Sequence, residues 1–318
     1  MNFLLEQLVD APYRAAFERL LNLLSVSGVT DVLANSPNEW WVDRGLGLET
    51  VPEMQMTPLE YNEVARFLVA LGDRHLDLIS PVTDVSIGPK SLPVLQKLGV
   101  SRLRVHAVLE SELTDRTFLS IRVHPSKTHS LAELATLGMF DPEQLQAIRS
   151  LISSRQNFLI SGSAGSGKTT LLRAILAESP EVRTVVVEDT AEIMPVAGHV
   201  VGLQSRQPNT EGAGAIALAV LARQALRMRP DRLVIGEVRG AEVEVLLHAM
   251  NTGHAGSAST IHANSGAEVA SRLRALASAA GLSDWLFPTV ASAAVQQIVH
   301  LCRVDGVRKV ESIEEFRP

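Results

Sequence analysis

The spacing of apolar and polar positions divides the chain into two differently built parts. In the first part, helical periodicity alternates with short turn-rich segments. Leu4, Leu5 and Leu8, then Phe17, Leu20, Leu21 and Leu24, recur three and four residues apart, with Ala11-Pro12 between the two runs. This is the pattern of an amphipathic helix interrupted at a proline. PLEYNEVARFLVALGDR (58–74) repeats the spacing, and Thr57-Pro58 supplies a capping hydroxyl and a proline at the first helical position. SPNEWW (36–41), DRGLG (43–47) and IGPKS (87–91) carry turn residues, while LRVHAVLES (103–111) and TFLSIRVH (117–124) read as strands. These features predict a smaller α+β domain over residues 1–130.

The second part alternates more regularly. After HSLAEL (129–134), a connection over 131–145 leads to Asp141-Pro142, which opens a helix. Strands are predicted at NFLISG (157–162), VRTVVVE (182–188), GHVVGLQ (198–204), RLVIGEV (232–238) and GSASTIH (256–262). Between and after them lie predicted helices at Lys168–Glu178, Ala213–Met228, Ala241–Asn251 and Glu268–Ala280. Strands alternating with helices imply βαβ units around a parallel sheet, an α/β domain over 146–318. A hairpin turning at Asp305-Gly306 is predicted over 299–313.

Composition narrows the class. Of 318 residues, 46% are hydrophobic and 20% charged, enough for two packed cores. No apolar run reaches the ~18 residues of a spanning helix. The opening MNFLLEQLVD has acids and no basic stretch, unlike a secretory signal. A single cysteine, Cys302, rules out an internal disulfide and a four-cysteine zinc site. The expectation is a soluble cytoplasmic protein. A net charge of −6, and the absence of any Phe, Tyr or Trp from Leu159 to Asp284, argue against a surface that tracks nucleic acid.

Gly162-Ser163-Ala164-Gly165-Ser166-Gly167-Lys168-Thr169-Thr170 fits G-x-x-x-x-G-K-[ST] and lies between a predicted strand and a predicted helix, the context that pattern requires. Glycines there let consecutive backbone N–H groups face a phosphate at a helix N-terminus. Lys168 would reach the β- and γ-phosphates of ATP, and the Thr169 hydroxyl would hold Mg²⁺. Lys168 is also the only lysine between Lys127 and Lys309. VVVEDTAEI (185–193) places Glu188, Asp189 and Glu192 at the C-terminal end of the next strand, the edge at which ligands sit in open α/β sheets. Glu188 is a candidate for organising metal or water. RLVIGEVRG (232–240) ends a buried strand in Gly236-Glu237, where many P-loop ATPases place an aspartate for Mg²⁺ before the glutamate. Glu237 is the candidate general base, with Arg239 beside it. His254 and His262 flank one predicted strand at a spacing unsuited to shared metal ligation.

In order and spacing, the P-loop, the EDxxE loop, ALRMRPDRLVIGEVRG (225–240) and MNTGHAGSASTIHANS (250–265) resemble the type II/type IV secretion ATPase superfamily, with wording closest to its CpaF-like, Tad-pilus branch. The resemblance implies a PAS-like N-terminal domain, a RecA-like C-terminal domain and a cytoplasmic homohexamer at the inner face of the membrane. There, ATP hydrolysis would power pilus assembly or secretion beside inner-membrane platform proteins. It places the family's acidic box on Glu188, Asp189 and Glu192, and its histidine box on Gly253, His254 and His262. RVHAV (104–108) and LSIR (119–122) match segments whose arginines, here Arg104 and Arg122, are proposed to reach a γ-phosphate. LESELTDRT (109–117) departs from the family, replacing a proline pair and a glycine. Two alternatives remain, a nucleic-acid translocase on the same core and a nucleotide-gated scaffold with little turnover. The acidic balance argues against the first; Lys168, Thr169 and Glu237 argue against the second.

Overall fold

The computed structural model describes residues 13–45, 47–194, 196–206 and 213–318, so the predicted helical run at Leu4–Leu8 lies outside the described residues. The chain divides into two compact units, Met1–Lys127 and Thr128–Pro318.

Unit 1 is built on a six-stranded sheet in the order β3-β2-β1-β6-β5-β4. Its strands are β1 (Asp31–Ser36), β2 (Glu39–Asp43), β3 (Leu48–Thr50), β4 (Val82–Ile87), β5 (Val100–Val108) and β6 (Phe118–Pro125), and every pairing is antiparallel. Helices α1 (Arg14–Leu24) and α2 (Pro58–Ala70) contribute Phe17, Leu20, Tyr61 and Leu68 to its core, while the short α3 (Val94–Lys97) precedes β5. Helix α2 begins with the predicted cap. The Thr57 hydroxyl accepts from Glu60 N, and the Glu60 carboxylate accepts from Thr57 N in return. SPNEWW is part turn and part strand, because Trp40 is buried and edge-on to Tyr61 inside the core.

Unit 2 carries a seven-stranded sheet in the order β13-β12-β7-β11-β10-β8-β9. Its strands are β7 (Phe158–Gly162), β8 (Thr184–Glu188), β9 (Val200–Gln204), β10 (Arg232–Glu237), β11 (Ala258–Ile261), β12 (Gln297–Val304) and β13 (Val307–Glu315). All pair in parallel except the β12/β13 hairpin, which turns at Asp305-Gly306 as predicted. Successive side chains of β7, β8 and β10 enter opposite layers. Leu159, Val185, Val187, Leu233 and Ile235 pack with helices α7 (Leu218–Leu226), α8 (Glu242–Asn251), α9 (Val269–Ala279) and α10 (Phe287–Ala294). Phe158, Ile160, Val186 and Val234 pack with α4 (Leu131–Thr136), α5 (Pro142–Ser153) and α6 (Lys168–Ala177). Both faces are covered, so these strands read as unbroken apolar runs.

Two expectations change. The segment 131–145 is not an open connection: Leu131 and Leu134 of α4 are 0% and 2% exposed in the core beneath the P-loop helix. Ser130 and Asp141 cap α4 and α5 through the reciprocal bonds of capping boxes. The helix predicted over 213–228 begins only at Leu218, because Ile216 exchanges backbone hydrogen bonds with Arg206 and Gly214 sits at φ +75.

Candidate functional site

The phosphate-type loop joins β7 to α6, and its glycines are fixed by the backbone they must adopt. Gly165 and Gly167 have φ +72 and +99, the left-handed region that favours glycine. At Gly162 (φ +147) a Cβ would collide with the Leu301 carbonyl oxygen on β12. The Lys168 side chain folds back over this loop. Its ammonium donates to the Gly162 carbonyl at 2.9 Å and the Ser163 carbonyl at 2.8 Å. Burial lowers its pKa, and nearby Glu237 partly offsets that. Thr169 and Thr170 are half-buried in the first turn of α6.

From Lys168 a line of charged and polar groups runs across the C-terminal edge of the sheet. His262 follows β11, next to the end of β7, since Ile261 pairs with Ser161. Its Nδ1 lies 3.4 Å from the Lys168 ammonium and its Nε2 lies 3.0 Å from Glu237 Oε1. Burial and the Lys168 charge push the imidazole pKa down, which favours the neutral ring between Lys168 and Glu237. Arg239 holds the other Glu237 oxygen at 2.5 Å. The Arg239 and Gly240 backbone N–H groups donate to the buried Glu242 carboxylate at 2.6 and 2.7 Å, which fixes the turn after β10.

Glu188 ends β8 and is 4% exposed. Its Oε1 accepts from Glu192 N at 3.0 Å and Ile193 N at 2.8 Å, and burial raises its pKa to about 7. It also accounts for the glycine before Glu237. A Cβ at Gly236 would stand 2.9 Å from Glu188 Cγ, so the Glu188 side chain on the neighbouring strand fills the space beside this glycine. Asp189 accepts from the Ser205 hydroxyl at 2.8 Å and faces outward.

Within unit 2, His254 and Gly253 lie apart from this line. His254 precedes β11 and bonds the Ala249 carbonyl at the C-terminal end of α8, so the length of β11 separates it from His262 and Lys168. Gly253 precedes it at φ +94. In unit 1, Arg104 and Arg122 face each other across β5 and β6. Arg104 is held by Asp84 at 2.8 Å and Arg122 by Asp31 at 3.0 Å. These carboxylates offset the repulsion of two cations placed opposite one another.

One residue at the loop escaped the sequence reading. Arg308 on β13 donates from Nε to the Gly165 carbonyl at 3.0 Å, and its Cδ stands 3.2 Å from where a Gly167 Cβ would be. The hairpin around it was predicted, but nothing in the spacing tied residue 308 to residue 165.

A parallel sheet with helices on both faces, a glycine loop opening a helix, and a lysine and glutamates at its C-terminal edge define a P-loop nucleotide-binding fold with a RecA-like core. The type II/IV secretion system protein model matches residues 100–315, and the chain belongs to that family. It is 43% identical over 299 residues to a putative conjugal transfer protein of Mycobacterium tuberculosis, covering 93% of this chain and 83% of that protein. It is 33% identical over 308 residues to the conjugal transfer protein TrbB of Rhizobium radiobacter, covering 94% and 88%. The fold is similar to that of the pilus retraction motor PilT bound to ADP (TM-score 0.66, 19% identity, 89% and 77% covered) and of the Legionella pneumophila ATPase DotB (0.65, 20%, 91% and 76%). No described helix is long and apolar enough to cross a membrane.

Proposed function

We propose that this chain is the ATP-hydrolysing motor subunit of a type II/IV-type machine, working as a homohexamer beside inner-membrane platform proteins and using unit 1 as the family's PAS-like domain. The observation that carries the reading is the line Lys168–His262–Glu237–Arg239, which joins the phosphate loop to the end of β10. The Tad-type pilus reading rests on the wording of the motifs, while relatives named for conjugal transfer favour a conjugative machine.

The residues do chemistry in a simple division. Backbone N–H groups of the glycine loop bind phosphate, and Lys168 exchanges its two carbonyl partners for phosphate oxygens. Glu237, held by Arg239, takes the proton of the attacking water. Neutral His262, between Lys168 and Glu237, orients both groups. Among the described residues no three His, Cys, Asp or Glu side chains gather as metal ligands. This fits an ion such as Mg²⁺, which takes few protein ligands and shares the phosphate oxygens. Thr169 and Glu188 would hold it, and it would neutralise charge on the β- and γ-phosphates.

Phosphate release from ATP by the full chain tests the reading. Wild type is expected to turn over, and Lys168→Ala to lose analogue affinity and turnover together. An equal rate in the two would contradict the assignment.

A further inference from the structure

The segment 109–117 between β5 and β6 forms an ordered turn. Ser111 and Thr114 exchange backbone hydrogen bonds at 3.1 and 3.3 Å, placing Glu112-Leu113 at the tip. The Thr117 hydroxyl accepts from Glu110 N and donates to Asn62 of α2, anchoring its base. A second turn lies beside it. Asp77 Oδ1 accepts from Ile79 N at 2.9 Å and Ser80 N at 2.8 Å, which turns Leu78 and Ile79 outward. The Leu109 N–H donates to the Pro81 carbonyl at 2.7 Å, extending the β4/β5 ladder so that both turns stand at one end of the sheet.

These paired turns carry the three most exposed large apolar side chains described in unit 1: Ile79 at 92%, Leu78 at 76% and Leu113 at 67%. Val82 at the base of the second turn is also exposed. Single exposed aliphatics need no explanation, but a cluster held out by capped turns does. Around it the charge is acidic. Asp77, Glu110 and Glu112 are exposed, and neither Glu110 nor Glu112 has an ion-pair partner among the described residues. Arg116 is shared between Glu39 and Asp115.

We propose that these two turns form a docking surface for a basic protein segment whose apolar side chains cover Leu78, Ile79 and Leu113. Charge selects that occupant. An anionic lipid surface would be repelled by the acidic rim. A second copy joined across a two-fold axis would set the same carboxylates against one another, while a head-to-tail contact between copies would show as lost mass in the apolar variant. An apolar partner without cations would strand Glu110 and Glu112 as they lose water. Cytoplasmic loops between membrane spans carry an excess of Lys and Arg, the charge this surface would take. Their place in a secretion machine rests on the function proposed above, but the docking chemistry does not.

The test is fluorescence anisotropy of a labelled Lys/Leu amphipathic peptide with the full chain, with a Glu/Leu peptide of the same length as control. Binding of the Lys/Leu peptide alone is expected, weakening with salt. The Leu78→Ser/Ile79→Ser and Glu110→Lys/Glu112→Lys variants should each bind it about tenfold more weakly. Neither pair belongs to the nucleotide site, so circular dichroism and ATP turnover should match wild type. The proposal is overturned if both variants bind like wild type. It also falls if phosphatidylglycerol vesicles recruit wild type but not the apolar variant, which would assign the surface to lipid. A drop in sedimenting mass in that variant would overturn it too, by making the surface a contact between copies.

Discussion

Glu188 is the residue at which burial and charge conflict most. Its pKa is raised from 4.5 to about 7, because desolvation outweighs the backbone donors on its carboxylate. The folded protein therefore holds a proton that the unfolded chain releases. The stability linked to that proton is fully present below about pH 4.5 and is lost as pH rises through about 7. Without nucleotide or magnesium, the Tm of Glu188→Gln should therefore gain on wild type between about pH 5 and 8. Parallel Tm curves over that range would show that Glu188 is not buried as described. At this scale the sequence was readable where a residue type carries its own chemistry. Lys168, Glu237 and Glu188 stand out by type and strand-end position. The reason for Gly236 did not, because the side chain that excludes a Cβ there belongs to a strand 48 residues away, as the Arg232↔Thr184 pairing of β10 and β8 shows.

Among the elements, the C-terminal hairpin does more than close the sheet. Through Arg308 it holds the Gly165 carbonyl, and through Leu301 it packs against Gly162. Arg308→Ala should leave the melting curve nearly unchanged and weaken analogue binding about five- to twentyfold, as the loop loses an external anchor. Calorimetric titration checks this; unchanged affinity would mean the loop holds its shape without the hairpin. The parallel strands were legible because layers on both faces make them continuous apolar runs ended by polar or glycine residues. Less legible were contacts that depend on which strands become neighbours. The two histidines were expected at the ends of one strand, and β11 does separate them, but which of them meets Lys168 depends on the pairing of β11 with β7. The burial of 131–136 was hidden for a similar reason: its core partners lie on α6, more than thirty residues further on.

For the molecule as a whole, the P-loop unit supplies lysine, glutamates and a neutral histidine, and Arg239 is already committed to Glu237. An additional arginine during turnover is the role proposed for Arg122, which Asp31 holds on an exposed sheet face. Such residues typically contribute ~10³–10⁵ in rate. Arg122→Ala should thus bind ATP analogue normally and turn over far more slowly, whereas wild-type turnover would leave Arg104 as the candidate. The division into two units was visible in the change of periodicity, and the family in its motifs; the carboxylates that hold the two arginines were not, since Asp31 and Asp84 meet them only through sheet register. In the proposed mechanism Glu237 performs the chemistry while the glycine loop and Lys168 perform the binding. Its most direct measurement is the Kd for Mg-ATP and the steady-state rate of phosphate release, taken on the same preparations of wild type and Glu237→Gln. Glu237→Gln should show an unchanged or tighter Kd with turnover reduced by about 10²-fold or more. A Glu237→Gln protein that binds and hydrolyses ATP like wild type would contradict it.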